Sequence, residues 1–396
     1  MSKWLRIFLV LLLGVILLGG GLFISACPAM GAAAKGARLD RMKASAQWQG
    51  ESFGNRLPRV DGDPMEMASE FFFGGSAHRS PSQALPVVQR KAEDFASHPE
   101  SGLRVTWLGH SSLLVELDGA RVFFDPMFGE YASPFTFTGP KRHFPPPLPL
   151  EELPSLDAIV ISHDHYDHLD HPTVLALRER VSRWIVPLGV GAHLEAWGVP
   201  AAAIRELDWW EEDEVAGVRV ACTPSRHFSG RSLSDQNGTL WAGWALIGPA
   251  HRVFYSGDTA LHPQFAEIGE RLGPFDLTMM ESGAYNQLWA DVHLGPEQAV
   301  LAHQLVRGQV MMPVHWGLFD LALHGWTEPI ERVLVAAERV GVPIVAPRPG
   351  ASVELADAPR VDRWWPQIPW DSAEDAPAWS SAVPELQKPF RAGITP

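Results

Sequence analysis

The chain opens on its most apolar stretch. Behind Lys3 and Arg6, residues Ile7 to Ile24 form an uninterrupted apolar run, which as a helix would extend roughly 27 Å, enough to cross a bilayer. The run is apolar on every side, unlike the one-sided stripe of a soluble core helix. Three fates fit it: a retained signal anchor, a cleaved secretory signal, or a lipoprotein signal, because small residues precede Cys27 in "ISAC". The retained anchor is the expectation. Its positive flank places the N-terminus in the cytoplasm and the body on the periplasmic or extracytoplasmic side.

From residue 28 to about 100 periodicity fades and Gly, Pro and Ser accumulate. The cluster Phe71 to Phe73 in "SEFFFGGSAHRSP" is expected to pack on the body, with a membrane contact as the alternative. At Leu103 the pattern changes. "LRVTWLGHSSLLVELDGARVFFDP" alternates, then runs apolar, with a break at Asp118-Gly119, a hairpin signature. Further strands are predicted in "DAIVIS", "SRWIVPL", "GVRVACTPS", "TLWAGWALIG", "HRVFYSGD", "FDLTMME", "GQVMMPVH" and "PIVAPRPG". Helices are predicted in "PTVLALRER", with Pro172 in its first turn, "GAHLEAWG", "HPQFAEIGERLG", "GPEQAVLAHQLV" and "TEPIERVLVAAERVG". Hairpins first, then alternating strands and helices, give an α/β layered sandwich. Beyond about Asp357, "DRWWPQIPWDSAEDAPAW" reads as an irregular tail wrapped over the body.

Composition narrows the chemistry. With 396 residues, 46% apolar and 20% charged, the chain can fill a core in one large domain or two modest ones. A formal charge of −14 without a long basic run argues against a nucleic-acid partner. Cys27 and Cys222 are the only cysteines, so neither a disulfide framework nor a Cys-based zinc site can be built. Any bound metal must be held by His, Asp or Glu.

Such residues are concentrated at predicted strand ends. "SHDHYDHLD" supplies His163, His165, Asp167 and His168 directly after the apolar "AIVIS" and before a helix. Loops at strand ends are where α/β proteins place ligands, and imidazole with carboxylate suits borderline divalent ions such as zinc. Asp164 and Asp170 are assigned no metal role. Three more apolar strands stop at the same chemistry: "VACTPSRH" at His227, "RVFYSGD" at Asp258 and "VMMPVH" at His315. A single His at a strand end is ordinarily a packed residue; four strand ends with one ligand chemistry are not explained that way. Together these side chains can hold two ions, with one carboxylate bridging and a bridging water or hydroxide as the reactive group.

The arrangement resembles the metallo-β-lactamase superfamily, marked by H-x-H-x-D-H after a strand and a later His, Asp and His. More narrowly it is similar to the group containing N-acylphosphatidylethanolamine-hydrolysing phospholipase D, on "WLGHSSLLVELDGARVFFDP", "GPKRHFPPPLPLEELP", "ISHDHYDHLD", "ELDWWEE", "PSRHFSGR", "FYSGDT", "DVHLGPEQAV" and "MPVHWGLFDLALH". The resemblance implies a four-layer αβ/βα sandwich behind an N-terminal apolar helix. It divides the chain into the signal segment 1–26, a pre-domain segment 27–102 packed on the body, the hydrolase domain 103–356 and a Pro/Trp-rich tail 357–396. It implies one zinc on His163, His165 and His227, another on Asp167, His168 and His315, and Asp258 bridging both. His293 matches a family histidine near the scissile phosphate and becomes, with Asp258, a catalytic candidate. His110, Asp125, Asp208 and His303 are candidates for orienting the ligands. The implied activity is zinc-dependent hydrolysis of N-acylphosphatidylethanolamine-like phospholipids by a hydroxide held between two Zn2+, giving an N-acylethanolamine and a phosphatidic acid. A sugar lactone or another phosphodiester is the alternative substrate, and a non-catalytic envelope protein stabilised by metal is the reading from another class.

Overall fold

Apolar residues that alternate from Leu103 onward bury one strand face against a second sheet and the other against helices. A computed structural model describes residues 3–60, 62–355, 361–380 and 382–387; the rest of the predicted tail lies outside them. In chain order the N-terminal elements are α1 (Lys3–Met30), α2 (Ala37–Ala44), β1 (Trp48–Gln49), β2 (Ser52–Phe53) and α3 (Pro64–Phe73). The first half of the body contributes β3 (Leu103–Trp107), β4 (Leu113–Leu117), β5 (Ala120–Phe124), β6 (Ala158–Val160), α4 (His171–Leu177), β7 (Trp184–Pro187), α5 (Gly191–Ala196) and β8 (Ile204–Leu207). The second half contributes β9 (Glu212–Val215), β10 (Val218–Thr223), β11 (Gly243–Ile247), β12 (Arg252–Tyr255), α6 (Gln264–Arg271), β13 (Phe275–Glu281), α7 (Pro296–Leu305), β14 (Gly308–Val314), α8 (Glu328–Val340) and β15 (Ser352–Glu354).

One sheet runs β15-β3-β4-β5-β6-β7-β8 and the other β14-β13-β12-β11-β10-β9. Each begins antiparallel and becomes parallel, with α4, α5, α6 and α7 in four of the five parallel crossovers and a long loop between β5 and β6. The two sheets share a core in which Val122 and Phe124 of β5 meet the same cluster as Val253 and Tyr255 of β12. Phe123 points the other way, towards Val174 and Leu177 of α4. Phe254 likewise meets Phe265 and Ile268 of α6. Period-two alternation with both faces covered is the αβ/βα sandwich that the sequence implies.

Helix α1 is long and apolar enough to cross a membrane by length and composition. Most of its side chains are exposed, but Ala26 and Ala29 near its end are buried on the body. Among the described residues of the tail, Trp364 and Trp365 are buried, with Trp364 stacked on Trp316.

Three expectations are corrected. "PIVAPRPG" forms no strand; Ile344 and Ala346 make isolated bridges, and the last strand is β15, paired with β3. The prolines that flank the short apolar run deny the ladder its donors. Strands β8 and β9 were not predicted, because "IREL" and "EDEV" are too short and too charged to show alternation. The cluster expected to pack on the body leaves Phe71 and Phe73 exposed. It lies on α3, capped by Asp63 with Pro64 in its first turn, and Phe71 and Phe73 are 49% and 90% exposed.

Candidate metal centre

The strand ends of both sheets meet at one edge of the sandwich. After β6 the chain turns through His163–Leu169, closed by His168 N–H and Leu169 N–H on the His165 carbonyl. Asp170 then caps α4 by accepting the Thr173 N–H. A strand end and a capped helix start therefore fix both ends of the motif. His227 follows β10, Asp258 follows β12 and His315 follows β14.

Their donor atoms converge. His165 Nδ1 lies 2.8 Å from His163 Nε2 and 3.2 Å from His227 Nε2. Asp258 Oδ2 stands between two groups: it is 3.8 Å from His163 Nε2 and 3.9 Å from His227 Nε2, but 3.2 Å from His168 Nε2 and 3.0 Å from His315 Nε2. Asp167 Oδ2 is 3.4 Å from both His168 Nε2 and His315 Nε2. The donor atoms of His163, His165, His227 and Asp258 all lie within 4.8 Å of one another, and so do those of His110, Asp167, His168 and His315.

The chemistry of this donor set fits a divalent cation. His227 Nδ1 faces the Val292 carbonyl at 2.8 Å, which can only accept, so the ring proton sits there and Nε2 presents a lone pair inward. His168 Nδ1 faces Asp125 Oδ2 at 2.8 Å with the same result. Buried lone pairs aimed at one another repel unless a cation lies between them. His168 Nε2, His315 Nε2 and Asp258 Oδ1 are buried and make no hydrogen bond among the described residues. Burial and neighbouring imidazoles push His163 and His227 well below the ordinary histidine value, keeping them neutral. Burial alone would raise Asp258, but His168 and His315 hold it well below the carboxylate range. Burial would lower His315, yet Asp258 and Asp167 lift it to about 10. The two carboxylates thus make a buried negative field that calls for positive charge.

Around the donors stands a supporting layer. His110 Nε2 contacts Asp167 Oδ2 at 2.8 Å; it is one of the predicted orienting residues and also lies within reach of the second donor group. Asp125 accepts from His168 and from Ser162 and Tyr255, neither of which sequence reasoning picked out. Both residues have positive φ, 53° for His110 and 40° for Asp125, and His315 has φ 63°, strain that the surrounding bonds must hold. His293 Nδ1 lies 2.9 Å from Glu281 Oε2 and 3.8 Å from Asp258 Oδ2. Glu281 was also missed. It ends β13 as the other site residues end theirs, a signal that the strand-end search could have used. Two predicted residues are not brought to the site. Asp208 accepts the Trp209 N–H at the surface turn before β9, and His303 Nδ1 contacts Thr278 Oγ1 between α7 and β13. Asp164 and Asp170 serve structure, Asp164 by accepting Gly230 N–H and Thr239 Oγ1–H.

Residues 120–316 match a family model described as a beta-lactamase superfamily domain. A Mycobacterium tuberculosis protein named only as uncharacterised is 51% identical over 293 residues, 73% of this chain and 78% of that protein. The Caenorhabditis elegans N-acyl-phosphatidylethanolamine-hydrolyzing phospholipase D 1 is 42% identical over 249 residues, 60% of this chain and 69% of its own. Among solved structures, isothiocyanate hydrolase from Delia radicum gut bacteria has a similar fold, with a TM-score of 0.52 at 19% identity over 63% of this chain and 98% of that one.

Proposed function

The chain belongs to the metallo-β-lactamase superfamily and is a metal-dependent hydrolase, and on that premise we propose that it is a zinc-dependent phosphodiesterase of phospholipase D type acting on N-acylphosphatidylethanolamine-like lipids. The observation that carries the reading is Asp258 Oδ2 set between two His-rich donor groups with His293 beside it. The 42% identity to a nematode enzyme named for that substrate supports it. In this reading His163, His165 and His227 would hold one ion, Asp167, His168 and His315 the other, and Asp258 would serve both. When bound, such a pair supplies acidified water and neutralises phosphoryl charge.

The chain's own residues do the rest. Asp258 orients the attacking water through its inward oxygen. Burial and Asp258 hold the Glu281 carboxyl well above its ordinary value, so Glu281 Oε2 and His293 Nδ1 share a proton. That contact leaves His293 Nε2 for substrate. Burial lowers His293 to about 4, so at neutral pH the ring is uncharged. A neutral ring grips a phosphoryl oxygen through Nε2–H better than it delivers a full proton, which makes hydrogen-bond donation its role. The pre-domain segment reaches the same edge, with Val60 N–H on Asp291 and Ser76 N–H on the Leu323 carbonyl.

The apolar α1 supports attachment to a membrane, with the body on the extracytoplasmic side, where a phospholipid substrate is at hand. The test is metal analysis of the full chain in detergent, with a substrate screen. The expected outcome is two zinc ions per chain and phosphatidic acid released from N-acylphosphatidylethanolamine vesicles. Turnover of lactones or simple phosphodiesters but not of N-acyl phospholipids overturns the substrate; absence of bound metal overturns the centre.

A further inference from the structure

We propose that the segment leaving the anchor helix, Pro28–Ala32, is a built part of the metal centre: through Arg231 and His193 it holds the loop His163–Leu169 in its ligand-bearing conformation. This inference rests on the reading that the loop holds metal. The segment is docked by three backbone groups. The Pro28 carbonyl accepts Trp197 Nε1–H at 2.7 Å, the Ala29 carbonyl accepts Arg231 Nε–H at 2.7 Å, and Ala32 N–H donates to His193 Nδ1 at 3.1 Å.

Two of the three anchor points continue into the loop. Arg231 is 3% exposed, and its Nη1 donates to the carbonyls of Asp164 and Leu169. These carbonyls bracket His165, Asp167 and His168, so one guanidinium nitrogen ties both ends of the ligand-bearing stretch. Its Cζ lies 4.1 Å from the centroid of the Tyr166 ring, and Tyr166 OH donates back to the Arg231 carbonyl. Asp164, Asp170 and Asp235 lie near enough to attract the buried cation, but its direct hydrogen bonds go to the loop and segment carbonyls.

His193 gives the second route. Because Ala32 N–H points at Nδ1, the ring proton sits on Nε2, which lies 3.3 Å from Asp164 Oδ2 in electrostatic contact without a hydrogen bond among the described residues. Asp164 also receives Gly230 and Thr239, and it is the residue between His163 and His165. Gly31 makes the approach possible. It has φ +72°, and a Cβ there would lie 2.2 Å from His193 Nδ1. Arg231 and His193 are therefore positioning residues: they add to the strand end and the helix cap in fixing the loop before metal arrives, and that order appears as affinity.

The experiment uses the full chain in detergent micelles. Zinc affinity is read by chelator competition, the site geometry by the absorption bands of the Co2+-loaded protein, and fold stability by melting of the metal-free protein. Arg231→Lys keeps the charge but cannot reach both loop carbonyls and Ala29; Gly31→Ala disturbs the contact from the anchor side. Each is expected to weaken zinc binding about tenfold or more and to shift the cobalt bands. Wild-type affinity and unchanged bands in both variants overturn the brace, whatever happens to the melting temperature. If Arg231→Lys does not fold, Gly31→Ala decides alone. A wild-type chain that takes up no metal overturns the metal centre itself, and this inference with it.

Discussion

Asp125→Asn exchanges one oxygen for an amide nitrogen at a carboxylate that accepts four hydrogen bonds. Asp125 is 0% exposed. Its Oδ2 accepts Ser162 Oγ at 2.6 Å, His168 Nδ1 at 2.8 Å and Tyr255 OH at 2.5 Å, while Oδ1 accepts Ser162 N at 2.7 Å. The amide has two orientations. With its nitrogen at the Oδ2 position, the His168 ring proton faces a donor, and the Ser162 and Tyr255 hydroxyls must turn from donating to accepting. With the amide flipped, the Ser162 backbone N–H faces one, and the other three lose the negative charge they bind. Each hydrogen bond to a charged group contributes about 1.5–3 kcal/mol, so even the better orientation loses one such bond and weakens three. The expected cost is about 3–5 kcal/mol, the range for breaking a buried charged network. The substitution also frees His168 from the acceptor that keeps its Nε2 lone pair inward, which should weaken metal binding about 10–100-fold. Urea unfolding of the metal-free protein reads the first effect and chelator competition the second. A variant that loses stability but binds zinc like wild type would show that Asp125 does not orient His168. One unchanged in both respects would refute the whole reading of this network.

Further outcomes are expected. His293→Ala should keep its metal and lose at least tenfold in turnover, measured by metal analysis and phosphodiester hydrolysis together; normal rates would remove His293 from the reaction. His303, lowered to about 4 by burial alone, sits below the ordinary histidine value in the folded state. The unfolded chain therefore takes up the proton first, so this contribution is whole above pH 6.5 and is lost as pH falls towards 4, by up to about 3 kcal/mol. His303→Asn should flatten that part of the stability profile in urea titrations between pH 7.5 and 4.5; an unchanged slope would mean that the site is wetter than its burial implies. Asp170→Ala removes the cap of α4 and should lower the urea midpoint by the equivalent of about 1 kcal/mol, with a larger loss if the Gly129 N–H on the same carboxylate also goes unpaired.

What could be read in advance was local. Alternation, turn residues and helix starts in "DAIVIS", "HRVFYSGD" and "GQVMMPVH" are properties of a few consecutive side chains, and so is the stop of an apolar strand at a His or Asp. The sandwich and the donors at four strand ends were therefore legible, and the family resemblance divided those donors into two groups. The rest depended on neighbours far along the chain. Short charged strands such as β8 and β9 exist because a sheet edge offers them a partner, and "PIVAPRPG" fails because its prolines cannot use one. Glu281 becomes part of the site only because β13 lies beside β12, and Asp208 and His303 leave it because their partners Trp209 and Thr278 are elsewhere. Sequence alone settled the kinds of atoms available and the strand ends that carry them. Tertiary structure decided which of those atoms meet, which nitrogen of each imidazole turns inward, and that Arg231 binds residue 29 and the metal loop at once, because distance between side chains is set by packing and not by their order along the chain.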